Sequence, residues 1–241
     1  MKYMGSKNRI YQYILPIILR HRKKGQIFYD VCCGGGNIID KIKNPRIGID
    51  VDEYVIEALK LIRDNPERLP KNNKETNEQI YEQMKTSSDK AMKGYYGYAL
   101  SYGGKWFGGW CRDSADKRDY IFEAYKNALW QSRKTQGAEF IHMNLFDLKP
   151  KPDSVLYVDP PYKGTTGYRI EGFDYEKFWD WVDCISDINL VFISEYQAPD
   201  NFKKVWSTEI CSSLTQDTGL KKATEYLFVR KDKEIKSNMW G

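Results

Sequence analysis

Apolar residues at Ile10, Ile14, Ile17 and Ile18 recur with the spacing of one helix face. They predict an amphipathic helix through "KNRIYQYILPIILRHR", with Ser6 as its N-cap and Pro16 as a kink or a break. The run "QIFYDV" (26–31) is short and dense in apolar residues and predicts a buried strand. "CCGGGN" then reads as a loop, and "NIIDKI" as the opening of a helix. "RIGIDV" (46–51) predicts a second strand, and "DEYVIEALKLIRDN" (52–65) a helix capped by Asp52. Strand patterns return at "EFIHMN" (139–144), "SVLYVDP" (154–160) and "NLVFIS" (189–194). An amphipathic helix, "YEKFWDWVDCIS" (175–186), separates the last two, and "TEYLFVRK" (224–231) is a final strand.

Between about Pro66 and Arg133 the pattern breaks. A polar stretch, partly helical, leads into "YYGYALSYGGKWFGGWCRD" and then into a helical "DYIFEAYKNALWQSRK". Strands alternating with helices predict an α/β fold with a doubly wound, Rossmann-like sheet, mostly parallel with a late antiparallel strand. The interrupting block predicts an inserted, mainly helical domain over 66–133, flanked by a catalytic domain made of 1–65 and 134–241.

Composition narrows the chemistry. No run approaches the roughly 20 apolar residues of a membrane span, and "MKYMGSKNRIYQYI" lacks the apolar core of a secretory signal. The expectation is a soluble, cytoplasmic protein. Five cysteines, an odd number with no C-x-x-C pair, exclude a disulfide framework or zinc site as the expectation, and no metal is expected. His21 and His142 are the only histidines, which weighs against Ser-His-Asp and His-metal mechanisms. A net charge of +5 permits a polyanionic partner without requiring one.

Three stretches could carry chemistry. In "YDVCCGGGNI" a strand ends at Asp30 and Val31, and Gly34, Gly35 and Gly36 follow. Such a turn lets a ligand approach main-chain N–H groups, but it reads equally as a plain strand-to-helix turn. Ile39 stands where a G-x-G-x-x-G dinucleotide motif needs its third glycine. Asp50 ends the next strand, where an acid can accept hydrogen bonds from ribose hydroxyls; the alternative is a helix cap, for which Asp52 is better placed. In "LYVDPPYKG" Asp159 and the Pro160 carbonyl offer two acceptors, and Tyr162 a flat ring. Two acceptors and a stacking ring suit the amino group of a nucleobase. A bare strand-to-turn junction is the alternative, and Lys163 and Gly164 fit a loop that opens.

"DPPY" after "VLYV" resembles the amino-methyltransferases that use S-adenosylmethionine. "YDVCCGGGNI" is similar to their Asp/Glu-Pro-Phe-x-Gly-x-Gly element, with Val31 and Cys32 in place of Pro-Phe. "MGSK" (4–7) resembles the opening of the Dam-like, class D12 DNA adenine-N6 methyltransferases, and "SYGGKWFGGWCRD" a segment of phage-type members. The order of cofactor motif, recognition block and DPPY is also theirs. The resemblance implies a catalytic set of Asp159, Pro160, Pro161 and Tyr162. It implies S-adenosylmethionine bound by Tyr3, Met4, Gly5, Lys7, Asp30, Cys32, Gly34, Gly36, Asp50 and Asp159. The acid that contacts the cofactor's adenine could correspond to Asn144 or Asp147, and Asp147 is preferred.

The implied reaction is methyl transfer to N6 of a flipped-out adenine in double-stranded DNA, by a monomer or weak dimer. Tyr162 would stack on the flipped base. Tyr102, Lys105, Trp106, Trp110 and Arg112 would form the DNA surface, although core packing is the favoured reading for several of these aromatics. An RNA adenine methyltransferase and an inactive nucleic-acid-binding relative are the alternatives.

Overall fold

The computed structural model describes residues 1–112, 118–162, 172–212 and 221–235; Lys163 and Gly164 lie outside them. The elements are α1 (Tyr11–Leu19), β1 (Phe28–Val31), β2 (Arg46–Asp50), α2 (Glu53–Asp64), α3 (Glu78–Met84), α4 (Lys90–Tyr98) and α5 (Tyr120–Thr135), followed by β3 (Glu139–His142), β4 (Val155–Val158), α6 (Tyr175–Ser186), β5 (Leu190–Glu195), β6 (Phe202–Ser212) and β7 (Lys221–Arg230). Among the described residues the strands form one sheet in the order β3-β2-β1-β4-β5-β7-β6. β1 to β5 are parallel; β7 runs antiparallel to both β5 and β6. No helix of the described residues is long and apolar enough to cross a membrane.

Period-two alternation sorts the strands onto two cores. Val155 and Tyr157 of β4 face α1, packing with Ile14, Ile18, Phe28 and Phe192. Leu156 and Val158 face α6, packing with Phe178 and Val182. A third core joins α2, α4 and α5 around Ile56, Leu59, Tyr95 and Ile121, and extends to Phe140 of β3. Residues of the 66–133 block thus share a core with α2 and β3.

Three local expectations are corrected. Ser6 caps a 3-10 turn (Lys7–Arg9), and α1 starts after it and runs through Pro16 unbroken. "NIIDKI" forms only a 3-10 turn (Ile39–Lys41), because Pro45 and the start of β2 leave no room for a helix. β6 went unpredicted: Lys203 and Lys204 and a bulge before Trp206 break its alternation, as an edge strand tolerates.

Candidate active site

Strand order reverses between β1 and β4, whose carboxyl ends lie side by side: the Asp159 N–H continues the ladder to Val31 O at 3.1 Å. Crevices at such reversal points bind ligands in open α/β sheets. Here the crevice is a cavity of about 390 Å3. That lies within the usual range for small-molecule sites.

The glycine turn forms one wall. Gly34 has φ +47°, and its N–H donates to Asp50 Oδ2 at 2.9 Å. A Cβ on Gly35 would lie 2.5 Å from Met1 O, so only glycine lets the N-terminal segment seat here. Asp50 Oδ1 accepts from the Asp52 N–H at 2.9 Å. Burial pushes the Asp50 carboxyl up to about 6, against the pull of those backbone donors. Asp52 caps α2 through the Tyr54 N–H and receives the Tyr98 hydroxyl at 2.5 Å. Asp50 is therefore free of capping duty and lines the cavity. Asp30, buried beneath the turn, accepts from the Ile39 N–H at 3.0 Å; desolvation holds its carboxyl well above the usual range.

The opposite wall carries the Asp-Pro-Pro-Tyr turn. Lys7 is 8% exposed, and its Nζ lies 3.0 Å from Asp159 Oδ1 and 3.3 Å from Glu225 Oε1. Burial raises the Asp159 carboxyl to about 6, with Lys7 opposing the shift and Glu225 adding to it. The Tyr175 hydroxyl donates to Pro161 O at 3.0 Å and anchors the turn to the start of α6.

Ten of the sequence-predicted residues line this cavity: Tyr3, Met4, Gly5, Lys7, Asp30, Cys32, Gly34, Asp50, Asp159 and Pro161. Four do not. Gly36 turns away, its α-carbon facing Leu59 and Gln131. Asp147 ends a 3-10 turn on the exposed side, whereas Asn144, which caps that turn, reaches the cavity with Phe146. Pro160 is buried behind the turn. Tyr162 is 6% exposed: its ring meets the edge of Tyr196 at 4.6 Å, lies under Lys7 Nζ at 4.5 Å, and its hydroxyl donates to Glu225 at 2.7 Å. In this conformation it is an internal brace, and no open platform for a base. Sequence reading also missed Asn37, Phe173 and Lys177, which line the cavity, and Glu225 behind it.

The predicted nucleic-acid residues divide. Tyr102 (73% exposed), Lys105 and Arg112 are on the surface, with Arg112 paired to Glu78. Trp106 is packed among Tyr54, Tyr98 and Phe107, and Trp110 against Tyr81; the local aromatic richness serves the core at these two positions. The Gly-rich turn is tied to the cavity wall by the Met4 N–H, which donates to Gly104 O at 3.0 Å.

Over residues 3–97 the chain matches the D12 class N6 adenine-specific DNA methyltransferase family. The D12 match takes in the 4–7 element, the glycine turn, Asp50 and α2 to α4, and ends ahead of the turn at Asp159. No curated protein matches the chain. Among solved structures, this chain is similar to PH1948 of Pyrococcus horikoshii, provisionally described as an RNA methyltransferase: identity is 10%, coverage 95% of this chain and 87% of that one, and TM-score 0.46. The N-methyltransferase NodS of Bradyrhizobium japonicum WM9, in complex with S-adenosyl-L-homocysteine, is 7% identical over 95% of this chain and 89% of its own, with TM-score 0.45.

Proposed function

We propose that this protein is an S-adenosylmethionine-dependent methyltransferase acting on N6 of adenine in double-stranded DNA. The observation that carries the reading is the convergence of the Asp50-bound glycine turn and Asp159 on one cavity, at the point where strand order reverses. The residues fit the cofactor. Asp50 offers carboxylate oxygens suited to ribose hydroxyls and a negative charge suited to a cationic ligand, and Ile49 and Phe146 offer apolar contact for a flat ring. When bound, the cofactor supplies an already activated methyl group.

The protein's task is then alignment. Adenine N6 is a weak nucleophile because its lone pair is delocalised into the ring. Asp159 Oδ, at the cavity wall, would accept an N–H of this amino group and favour a pyramidal nitrogen; holding it in line with the methyl group is proximity catalysis. Within a duplex N6 is paired, so the base must leave the stack to reach Asp159. Tyr102 and Lys105, exposed on the turn bonded to Met4, stand beside the cavity wall as contacts for the surrounding strands. No metal-binding group of three or more His, Cys, Asp or Glu exists among the described residues.

The test is transfer of labelled methyl from S-adenosylmethionine to duplex DNA and, in parallel, to RNA, followed by nucleoside digestion. Label in N6-methyladenine from DNA is the expected result. Label confined to RNA would replace DNA with RNA as the substrate, and binding without transfer would make the protein an inactive relative.

The acid limb is a separate expectation. A protonated Asp159 is a poor acceptor, and a protonated Asp50 a poor ribose anchor. Both carboxyls are raised to about 6, so both are ionised at neutral pH and take up protons as pH falls through that value. kcat/KM is therefore expected to fall below about pH 6 more steeply than for one proton. A nearby sulfonium favours the ionised forms, so the limb in kcat should lie lower. A kcat/KM profile flat to about pH 5 would contradict the assignment.

A further inference from the structure

Glu225 takes no part in the chemistry above. It nevertheless sits on the buried face of β7 with Leu227 and Val229, and is only 4% exposed. A carboxylate in that position is costly unless it is paired and hydrogen-bonded. Its Oε1 meets both needs, accepting the Tyr162 hydroxyl at 2.7 Å and lying 3.3 Å from Lys7 Nζ. The same ammonium lies 3.0 Å from Asp159 Oδ1. One cation is therefore divided between two carboxylates, one at the cavity wall and one behind it.

We infer that Glu225 is a positioning residue for methyl transfer: it shares the Lys7 ammonium so that Asp159 keeps acceptor capacity for the substrate amine, and it fixes the turn through Tyr162. The inference rests on the methyltransferase reading. Without Glu225, the Lys7 ammonium is drawn more fully onto Asp159 and competes with N6 for its oxygens. Without the bond to Tyr162, the turn loses its tie to β7. Asp159 also faces Tyr157 from β4, Asp30 within β1 and Cys32 just after it, Tyr196 beyond β5, and Tyr162 of its own turn, whose hydroxyl favours the ionised carboxylate. Lys7 supplies the opposite charge, and Glu225 the like charge, that act on its proton affinity after desolvation.

Glu225→Gln keeps the shape and an acceptor for Tyr162 while deleting the charge. The expected result is kcat lowered about tenfold or more, an unchanged cofactor Kd by calorimetry, and an acid limb moved to lower pH, because a like charge has left Asp159. A wild-type kcat with an unmoved limb overturns the inference. Should this variant fail to fold, Lys7→Met carries the test: its limb must rise, and an unmoved limb is equally fatal. If the wild type methylates neither DNA nor RNA, the methyltransferase reading has failed. Titration of the Asp159 carboxyl by NMR in wild type and Glu225→Gln then still reads whether the ammonium is shared, and identical titrations overturn the sharing.

Discussion

Asp159→Ala is expected to lower methyl transfer by about 10^2- to 10^3-fold or more while S-adenosylmethionine binding is retained. The carboxylate is the acidic group at the cavity wall that is placed on the rigid Pro-Pro turn. Removing one preorganised hydrogen-bonding group from a water-poor site commonly costs that much in rate. Cofactor affinity draws instead on the glycine turn and Asp50, on the far wall. Single-turnover transfer and equilibrium binding, measured on the same preparation, separate the two. Transfer within about tenfold of wild type would remove Asp159 from the chemistry.

Gly94→Ala is expected to destabilise the fold by about 2–3 kcal/mol. Glycine in the interior of α4 costs about 1 kcal/mol relative to alanine, so propensity alone favours the substitution. Packing reverses the sign. A Cβ there would lie 2.0 Å from the Tyr54 carbonyl oxygen of α2 and 3.1 Å from the Ala58 Cβ. The obstacle is backbone and cannot rotate away, so the helices must separate, at the upper end of overpacking costs. For a chain of this size the midpoint of thermal unfolding should fall by roughly 4–12 °C. Cofactor affinity should fall with it, since the Tyr98–Asp52 bond spans the same contact. An unchanged or raised midpoint would show that the two helices can part without cost.

Much of the fold is legible in periodicity. β1, β2, β4 and β5 are short apolar runs because both faces of each are covered, and α2 and α6 announce themselves by a single apolar stripe and an aspartate cap. β6 is harder to see: an edge strand pairs on one side only and carries lysines. The site is legible where the sequence forces a backbone shape, at Gly34, Asp50 and the Pro-Pro turn. It is illegible where a one-turn offset decides which side chain faces inward, as with Asn144 against Asp147. Trp106 and Tyr102 are four residues apart in one aromatic segment, yet only the fold decides that one is packed and the other bare. Glu225 had a signal of its own, a carboxylate in register with Leu227 and Val229 on the inward face of a strand.

The Lys7 ion pairs join the first helical turn to the turn after β4 and to β7, both made far later. A ribosome releases Lys7 long before β4 emerges, and β7 later still. No N-terminal fragment can therefore complete the cluster, whatever else in it has folded. The sheet can grow strand by strand, but the acceptor at its centre is held in place only once the chain has returned to meet its own beginning.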